Sequence, residues 1–449
     1  MTPEPSSAAP RPAAASLKAG DAFSFQRNLR ALLVPSPVQI VPLDGLRAFS
    51  VIWVACYHVA YATQFFIDPA AHQAIETSKA LMPITYGAHY AIDVFFVLSG
   101  FLIAQLLLTE NSRYGKISLG RFYARRAMRL LPAYYPAMLF LYLVEPSQLK
   151  HAILDLNHIL GIDKQIDLHM PNVLTNVLYF NNLLPWDRQY MGWSWTLAIE
   201  EQFYITFPLL LMFLFRKRWS LLGTFYTMFA LAFVARALVA VYVLPHSDVQ
   251  NALFVKTHTR YGSIVLGVLC ATYHLRVESQ RARRWFTRAL GIVPILLGVL
   301  FVAWKRTHLA LGVREIAIRS SHHYMVASIV AWIVMLMVTK EKGWFARLVE
   351  RVLSNRVLFV MGQVSYSTYL LHLTIIGVIY KYVDAHHPFG LMVPSTNAGV
   401  VAWCGPVVAI CSLAAVPMYL FVEHPAMVLR NIWFRRPPAA TPARAGAPG

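Results

Sequence analysis

Residues 88–108 decide the fold, and they read AHYAIDVFFVLSGFLIAQLLL. Asp93 is the single formally charged residue in this stretch. A helix needs about 20 mostly apolar residues to cross the hydrocarbon core of a bilayer. A spanning segment must also satisfy all its backbone polar groups internally, which a helix does. The stretch therefore predicts a transmembrane helix.

Nine further apolar windows accompany this one along the chain. With residues 88–108 they make ten, roughly at 44–66, 88–108, 130–146, 195–215, 220–244, 260–275, 289–305, 324–340, 362–380 and 398–421. The chain is accordingly predicted to be an all-α integral membrane protein with about ten transmembrane helices. We expect one transmembrane domain over residues 41–430, between disordered cytosolic tails at 1–40 and 431–449 that are rich in Ala and Pro.

Composition and charge agree with a membrane location. The 449 residues are 57% hydrophobic and 14% charged, whereas soluble domains have about 25% charged residues. The net charge of +19 does not indicate nucleic-acid binding, because the basic residues form short blocks between apolar windows. With both termini inside, 27 of the 40 Lys and Arg residues face the cytosol and 11 face outward, while Arg47 and Arg236 lie within helices. This bias predicts cytosolic N- and C-termini.

The four cysteines predict neither a disulfide framework nor a metal site. All four lie in apolar windows, and none belongs to a CxxC pair. We expect them to pack as small apolar side chains, and we expect no metal.

Arg47 and His58 are the first ionisable residues expected to be buried in the membrane. They are eleven residues apart, which places them on one helix face about 16 Å apart along the axis. Ionisable groups at membrane depth are costly and favour a functional role. A snorkelling arginine and a hydrogen-bonded structural histidine are the alternative.

Glu200 and Glu201 lie just after Trp193 and Trp195, at the outer end of the fourth window. Adjacent helical residues point about 100° apart, so only one of the two carboxylates should face a common centre. An interfacial aromatic belt explains the tryptophans but not the paired acids.

Arg121, Arg125 and Arg129 form an i, i+4 row, and Arg126 lies three residues before Arg129. A cluster of guanidinium groups at a cytosolic helix start suits phosphate. Contact with anionic lipids is equally compatible with the pattern.

His372 is predicted to lie at the same depth as His58, about 15 Å into the ninth helix. Two imidazoles at one depth suggest a shared polar cavity, although a structural hydrogen bond also explains His372. The remaining polar positions are expected to be structural or supporting, and they are Asp44, Asp93, Arg260, Tyr366 and Glu423.

Taken together, these blocks resemble acyltransferase family 3, a family of membrane-bound carbohydrate O-acyltransferases. The matching blocks are Leu43–Arg47 followed by His58, Asp93–Ile103, Phe122–Arg129, Trp195–Tyr204, Ser365–His372 and Phe421–Pro425. The sequence departs from the family pattern at Thr196, where serine is usual. We expect little effect, because threonine keeps the hydroxyl.

The resemblance implies transfer of an acyl group, acetyl in the first instance, from cytosolic acyl-CoA to a carbohydrate hydroxyl at the bacterial inner membrane. The acceptors it implies are lipopolysaccharide O-antigen, exopolysaccharide and other envelope glycans. Many members have a fused periplasmic SGNH-type domain after the last helix. This chain ends soon after that helix and so resembles the form without it, which leaves a separate periplasmic transfer partner open.

Within that reaction we predict His58 to be the general base, because its ordinary pKa lies near working pH. Glu200 is expected to orient an imidazole or to contact the acceptor, and His372 is the other imidazole candidate. The CoA phosphates are expected on Arg126 and Arg129, with Arg47 along the path inward. Ser99 is a possible acyl carrier, but helix packing explains it better.

A transporter or flippase for a glycan or lipid-linked intermediate is the competing class of function, because buried charges and ten helices fit it too. The sequence shows no pair of half-repeats with interrupted helices, which transporters often have.

Overall fold

A computed structural model describes residues 18–37, 39–85, 87–144, 173–185, 189–243, 251–304, 311–339 and 343–434. Each of the ten apolar windows coincides with a long helix in this part of the chain. We number these helices in chain order as α1 Val41–Ala62, α2 Ala88–Tyr114, α3 Leu119–Val144, α4 Trp195–Lys217, α5 Leu221–Val243, α6 Thr257–Arg276, α7 Gln280–Trp304, α8 Leu311–Thr339, α9 Arg356–His386 and α10 Asn397–Met418. The described chain is all-helical, as predicted.

Seven stretches of the described chain are long and apolar enough to cross a membrane. They are Met82–Tyr114, Leu119–Val144, Gly192–Lys217, Leu221–Tyr242, Gln280–Val302, Ile316–Thr339 and Asn397–Trp433. The chain is thus a multi-pass membrane protein. Helices α1, α6 and α9 are outside this set, and all three contain polar residues that are buried in the protein. Ten crossings and the orientation of the termini therefore stay predictions.

The centre of the fold is built from α1, α2, α6 and α9, which approach each other closely at glycines. A methyl group on Gly100 of α2 would collide with the carbonyl of Ile264 on α6, and one on Gly267 would collide with that of Val97. Gly362 of α9 lies in the same way against the backbone of Asp44. Small residues permit such close packing where the surrounding lipid is as apolar as the helix side chains.

The N-terminal segment corrects one expectation. We predicted disorder through residue 40, but a short helix, Phe25–Leu33, lies within that range. Its Asn28 is buried and donates hydrogen bonds from Nδ2 to the Leu420 carbonyl at 2.9 Å and the Ala22 carbonyl at 3.0 Å. These bonds fix the helix to the end of the bundle. Residues 1–17 and 435–449 lie outside the described residues.

A π-helical segment, Tyr419–Glu423, joins α10 to a last short helix, His424–Trp433. It places Glu423 in the interior. The last helix brings Arg430 to the cavity described below.

Candidate functional site

Two imidazoles meet in the centre of the bundle. His58 of α1 and His372 of α9 are both buried, and His372 Nε2 lies 3.1 Å from His58 Nδ1. Their equal depth agrees with the helix geometry predicted from the sequence.

The hydrogen bonds around this pair assign both tautomers. His58 Nδ1 lies 2.9 Å from the carbonyl oxygen of Val54, and His372 Nδ1 lies 2.7 Å from that of Tyr369. A carbonyl oxygen only accepts, so both Nδ1 atoms have the hydrogen when the rings are neutral. His372 Nε2 then accepts from His58, and the lone pair of His58 Nε2 remains available. The arrangement gives His58 the electronic form of a general base.

A cavity of about 880 Å³ lies beside this pair. Seven arginines line it, namely Arg47, Arg113, Arg121, Arg125, Arg126, Arg129 and Arg430. Among the described residues, two carboxylates, Glu110 and Glu200, line it with them. Arg121 Nη1 is buried and has no hydrogen-bond partner among the described residues. The cavity is therefore strongly cationic, and it leaves a buried donor for an anionic ligand.

The deep part of the cavity contains a hydrogen-bonded cluster. Ser99 of α2 donates to Glu200 Oε1 at 2.5 Å, and its oxygen lies 2.9 Å from the Tyr204 hydroxyl. The guanidinium of Arg126 lies 5.3 Å from the centre of the Tyr204 ring. Glu200 lines the cavity, whereas Glu201 is not among its lining residues, in agreement with the prediction that only one of the pair faces a common centre.

Tyr369 connects the cavity to the imidazole pair. Its side chain lines the cavity, its ring centre lies 5.6 Å from that of His372, and its carbonyl accepts from His372. The Tyr369 hydroxyl is held by Thr196 Oγ1 at 2.6 Å and the Trp193 carbonyl at 2.5 Å. Neither His58 nor His372 lines the cavity. The imidazole pair is thus buried beside the cavity, and Tyr369 contacts both.

Arg47 is positioned at the cavity by the start of α1. Its Nη1 lies 2.8 Å from Asp44 Oδ1, and Asp44 Oδ2 accepts a second hydrogen bond from Gln39 at 2.8 Å. Asp44 therefore fixes the Arg47 head group and acts through it.

Glu423 and Tyr366 each form a hydrogen bond that connects neighbouring helical segments. Glu423 accepts from Ser367 at 2.8 Å. Tyr366 lines the cavity and donates to the Leu130 carbonyl at 3.1 Å, which joins α9 to α3.

Asp93 and Arg260 lie apart from the cavity lining and pair with one another. Arg260 Nη2 is 3.2 Å from Asp93 Oδ1, and both side chains are fully buried. Ser263 donates to Asp93 at 2.7 Å, and His323 Nδ1 lies 2.8 Å from its other oxygen. The group ties α2 to α6 and α8.

Some site residues were missed or set aside in the sequence. Ser99 was assigned to helix packing, yet its hydroxyl bonds Glu200. Tyr369 lies in the block Ser365–His372 but was not singled out, and Arg430 had no signal of its own. The packing of α9 and the last helix brings both to the cavity. Arg121 and Arg125, which belong to the i, i+4 row found in the sequence, line the cavity as well.

Comparison with known proteins identifies related sequences. The model of acyltransferase family 3, described as an acyltransferase domain, matches residues 40–420. Two proteins named O-acetyltransferase OatA, from Staphylococcus aureus strains NCTC 8325 / PS 47 and COL, are each 27% identical to the chain over 364 residues. The match covers 77% of this chain and 52% of each relative, so the chain spans about half the length of these relatives. No solved structure matches the chain.

Proposed function

As the chain belongs to acyltransferase family 3, we propose that it transfers an acyl group from cytosolic acyl-CoA to a hydroxyl of a carbohydrate. The names of the relatives favour acetyl as the acyl group. The acceptor is an envelope glycan such as lipopolysaccharide O-antigen or exopolysaccharide, and the protein lies in the bacterial inner membrane. The observation that carries the proposal is an arginine-lined cavity that ends beside a buried imidazole pair.

The donor end of the site is the cationic part of the cavity. Acyl-CoA is a thioester on a long arm that ends in phosphates, and guanidinium groups bind phosphate through charge-assisted, often bidentate hydrogen bonds. The unpartnered Nη1 of Arg121 suits such an anion. Arg126 and Arg129 lie further along α3 and would hold the phosphates with it, while Arg47 lines the path inward.

The reacting end of the cavity lies at Tyr369. A thioester placed at the deep end of the cavity would lie beside Thr196 and Tyr369, next to the imidazole pair. Because His58 is buried and does not line the cavity, a thioester there reaches it only if side chains between them move. We expect the Tyr369 ring, which Thr196 and the Trp193 carbonyl hold, to be the side chain that moves.

His58 would act as the general base. Its Nε2 takes the proton of the acceptor hydroxyl while the oxygen attacks the thioester carbon. The C–S bond then breaks, and the same Nε2 returns the proton to the leaving sulfur. His372 accepts from His58 Nδ1 throughout and so keeps the ring oriented. The products are the acyl ester of the sugar and free CoA.

Thioester turnover tests the proposal. We expect the purified chain in lipid nanodiscs to release CoA from acetyl-CoA when de-O-acetylated envelope polysaccharide is added, with acetate appearing on the polysaccharide in equal amount. Such transfer by the chain alone would exclude the need for a separate periplasmic partner. Movement of a glycan across vesicles without CoA release would instead identify a transporter or flippase and overturn the proposal.

A further inference from the structure

Three side chains on one face of α1 lie in order of depth, and a fourth follows just beyond the helix. Arg47 lines the donor cavity, and His58 lies eleven residues later on the same face. Tyr61 follows three residues after His58, which is the spacing of residues on one helix face. Phe65 lies just beyond α1, in the 3-10 turn Thr63–Phe65. The face continues past the imidazole pair toward the outer end of the bundle.

The rings beyond His58 form a continuous row. The centres of the His58 and Tyr61 rings are 6.1 Å apart, and those of Tyr61 and Phe65 are 5.9 Å apart. His58 is buried, Tyr61 is half-buried and Phe65 is 68% exposed. Exposure therefore rises along the row, from the proposed base to the surface.

A second pair of rings lies beside this row. Tyr57 of α1 and His89 of α2 are half-buried, and their ring centres are 5.2 Å apart. Tyr57 also lies 4.9 Å from the His58 ring and 5.8 Å from the Tyr61 ring. The outer approach to His58 is thus lined by aromatic rings, some of which have polar groups.

We propose that the rings of Tyr61 and Phe65 bind the sugar rings of the acceptor, and this proposal rests on the function proposed above. A pyranose has apolar C–H faces and hydroxyl-bearing edges. Aromatic rings with a polar tip match both, because the ring face packs against the C–H groups and the tip bonds hydroxyls. A sugar stacked on Tyr61 would present a hydroxyl to the lone pair of His58 Nε2. Donor and acceptor then approach the base from opposite ends of one helix face.

The test separates stacking from membrane contact. Phe65→Leu and Tyr61→Leu keep an apolar side chain that lipid accepts but remove the flat ring. We expect each to raise the KM for de-O-acetylated envelope polysaccharide by about threefold to tenfold. The KM for acetyl-CoA should be unchanged, because neither residue lines the cavity. Phe65→Tyr, which keeps the ring, should behave as wild type.

Phe49→Leu is the matched control. Phe49 is on α1 and 46% exposed, but it lies near Arg47 and away from Tyr61 and Phe65. It should leave the polysaccharide KM unchanged. A wild-type KM in both Phe65→Leu and Tyr61→Leu would assign the row to lipid and overturn the inference while the transfer reaction stands. Absence of acetyl transfer by the wild-type chain would overturn the proposed function itself.

Discussion

Replacement of His58 by glutamine is the most direct test of the proposed base. The glutamine amide can still donate to the Val54 carbonyl and to His372 Nε2, which hold Nδ1 of the native ring. It cannot take a proton from an acceptor hydroxyl. The variant should therefore insert and fold as wild type does while it loses the chemical step.

The expected loss follows from the role. A positioned general base contributes about 10²-fold to 10⁴-fold to a rate, which is roughly 3 to 5 kcal/mol of activation free energy. The turnover number of His58→Gln should fall by that factor. The KM for acetyl-CoA should not change, because His58 is not among the residues that line the donor cavity.

The assay is acetate incorporation into polysaccharide, with CoA release measured in parallel at matched protein amounts. His372→Gln is the companion variant, because its side-chain oxygen can still accept from His58 Nδ1. We expect a loss of only about tenfold for it, since the Val54 carbonyl also still fixes the His58 tautomer. A His58→Gln turnover within about threefold of wild type would show that His58 is structural and refute the reasoning.

Three further predictions concern the donor site, the carboxylate pair and the topology. Arg126→Ala should raise the KM for acetyl-CoA, measured by initial rates, by about tenfold or more, because a charged hydrogen bond is lost. Arg126→Lys should restore part of the affinity for acetyl-CoA. Arg216 is exposed and outside the cavity, so Arg216→Ala should leave this KM unchanged. Glu200→Gln should lower the turnover number by about tenfold, because it removes the charged acceptor of Ser99. Glu201→Gln should leave the turnover number near wild type. Equal effects in the two variants would contradict the observation that Glu200, and not Glu201, lines the cavity. Reporter fusions should give a cytosolic signal at positions 115, 217, 280 and 345 and an outer signal at 165, 250 and 390. One reproducible inversion among the first seven helices would break the predicted orientation.

The sequence predicted the positions of the long helices well, because each apolar window must be long enough to cross the bilayer core. It was less successful where the chain leaves the apolar pattern. The helix Phe25–Leu33 was expected to be disordered, since its ordering depends on the burial of Asn28 against a carbonyl more than 390 residues later. Such a partner has no local signature.

The candidate site shows the same division. Helical spacing placed His58 and His372 at one depth, but only the packing of α1 against α9 showed that their nitrogens meet at 3.1 Å. Adjacency predicted that one of Glu200 and Glu201 would face the centre. Glu200 was the expected one, and its contact with Ser99 shows the rotation of α4 that places it there.

The sequence by itself therefore determined the membrane class, the helices and the set of polar residues, because these follow from periodicity and from the cost of charge in lipid. The tertiary structure alone decided which of those residues line the cavity and which are buried beside it. The arginines of α1, α2, α3 and the last helix form one cavity, and the two histidines lie beyond Tyr369. Side chains from helices far apart in sequence form the cavity and the imidazole pair. Their arrangement depends on crossing positions set by close contacts such as Gly362 against Asp44, and no local pattern encodes those contacts.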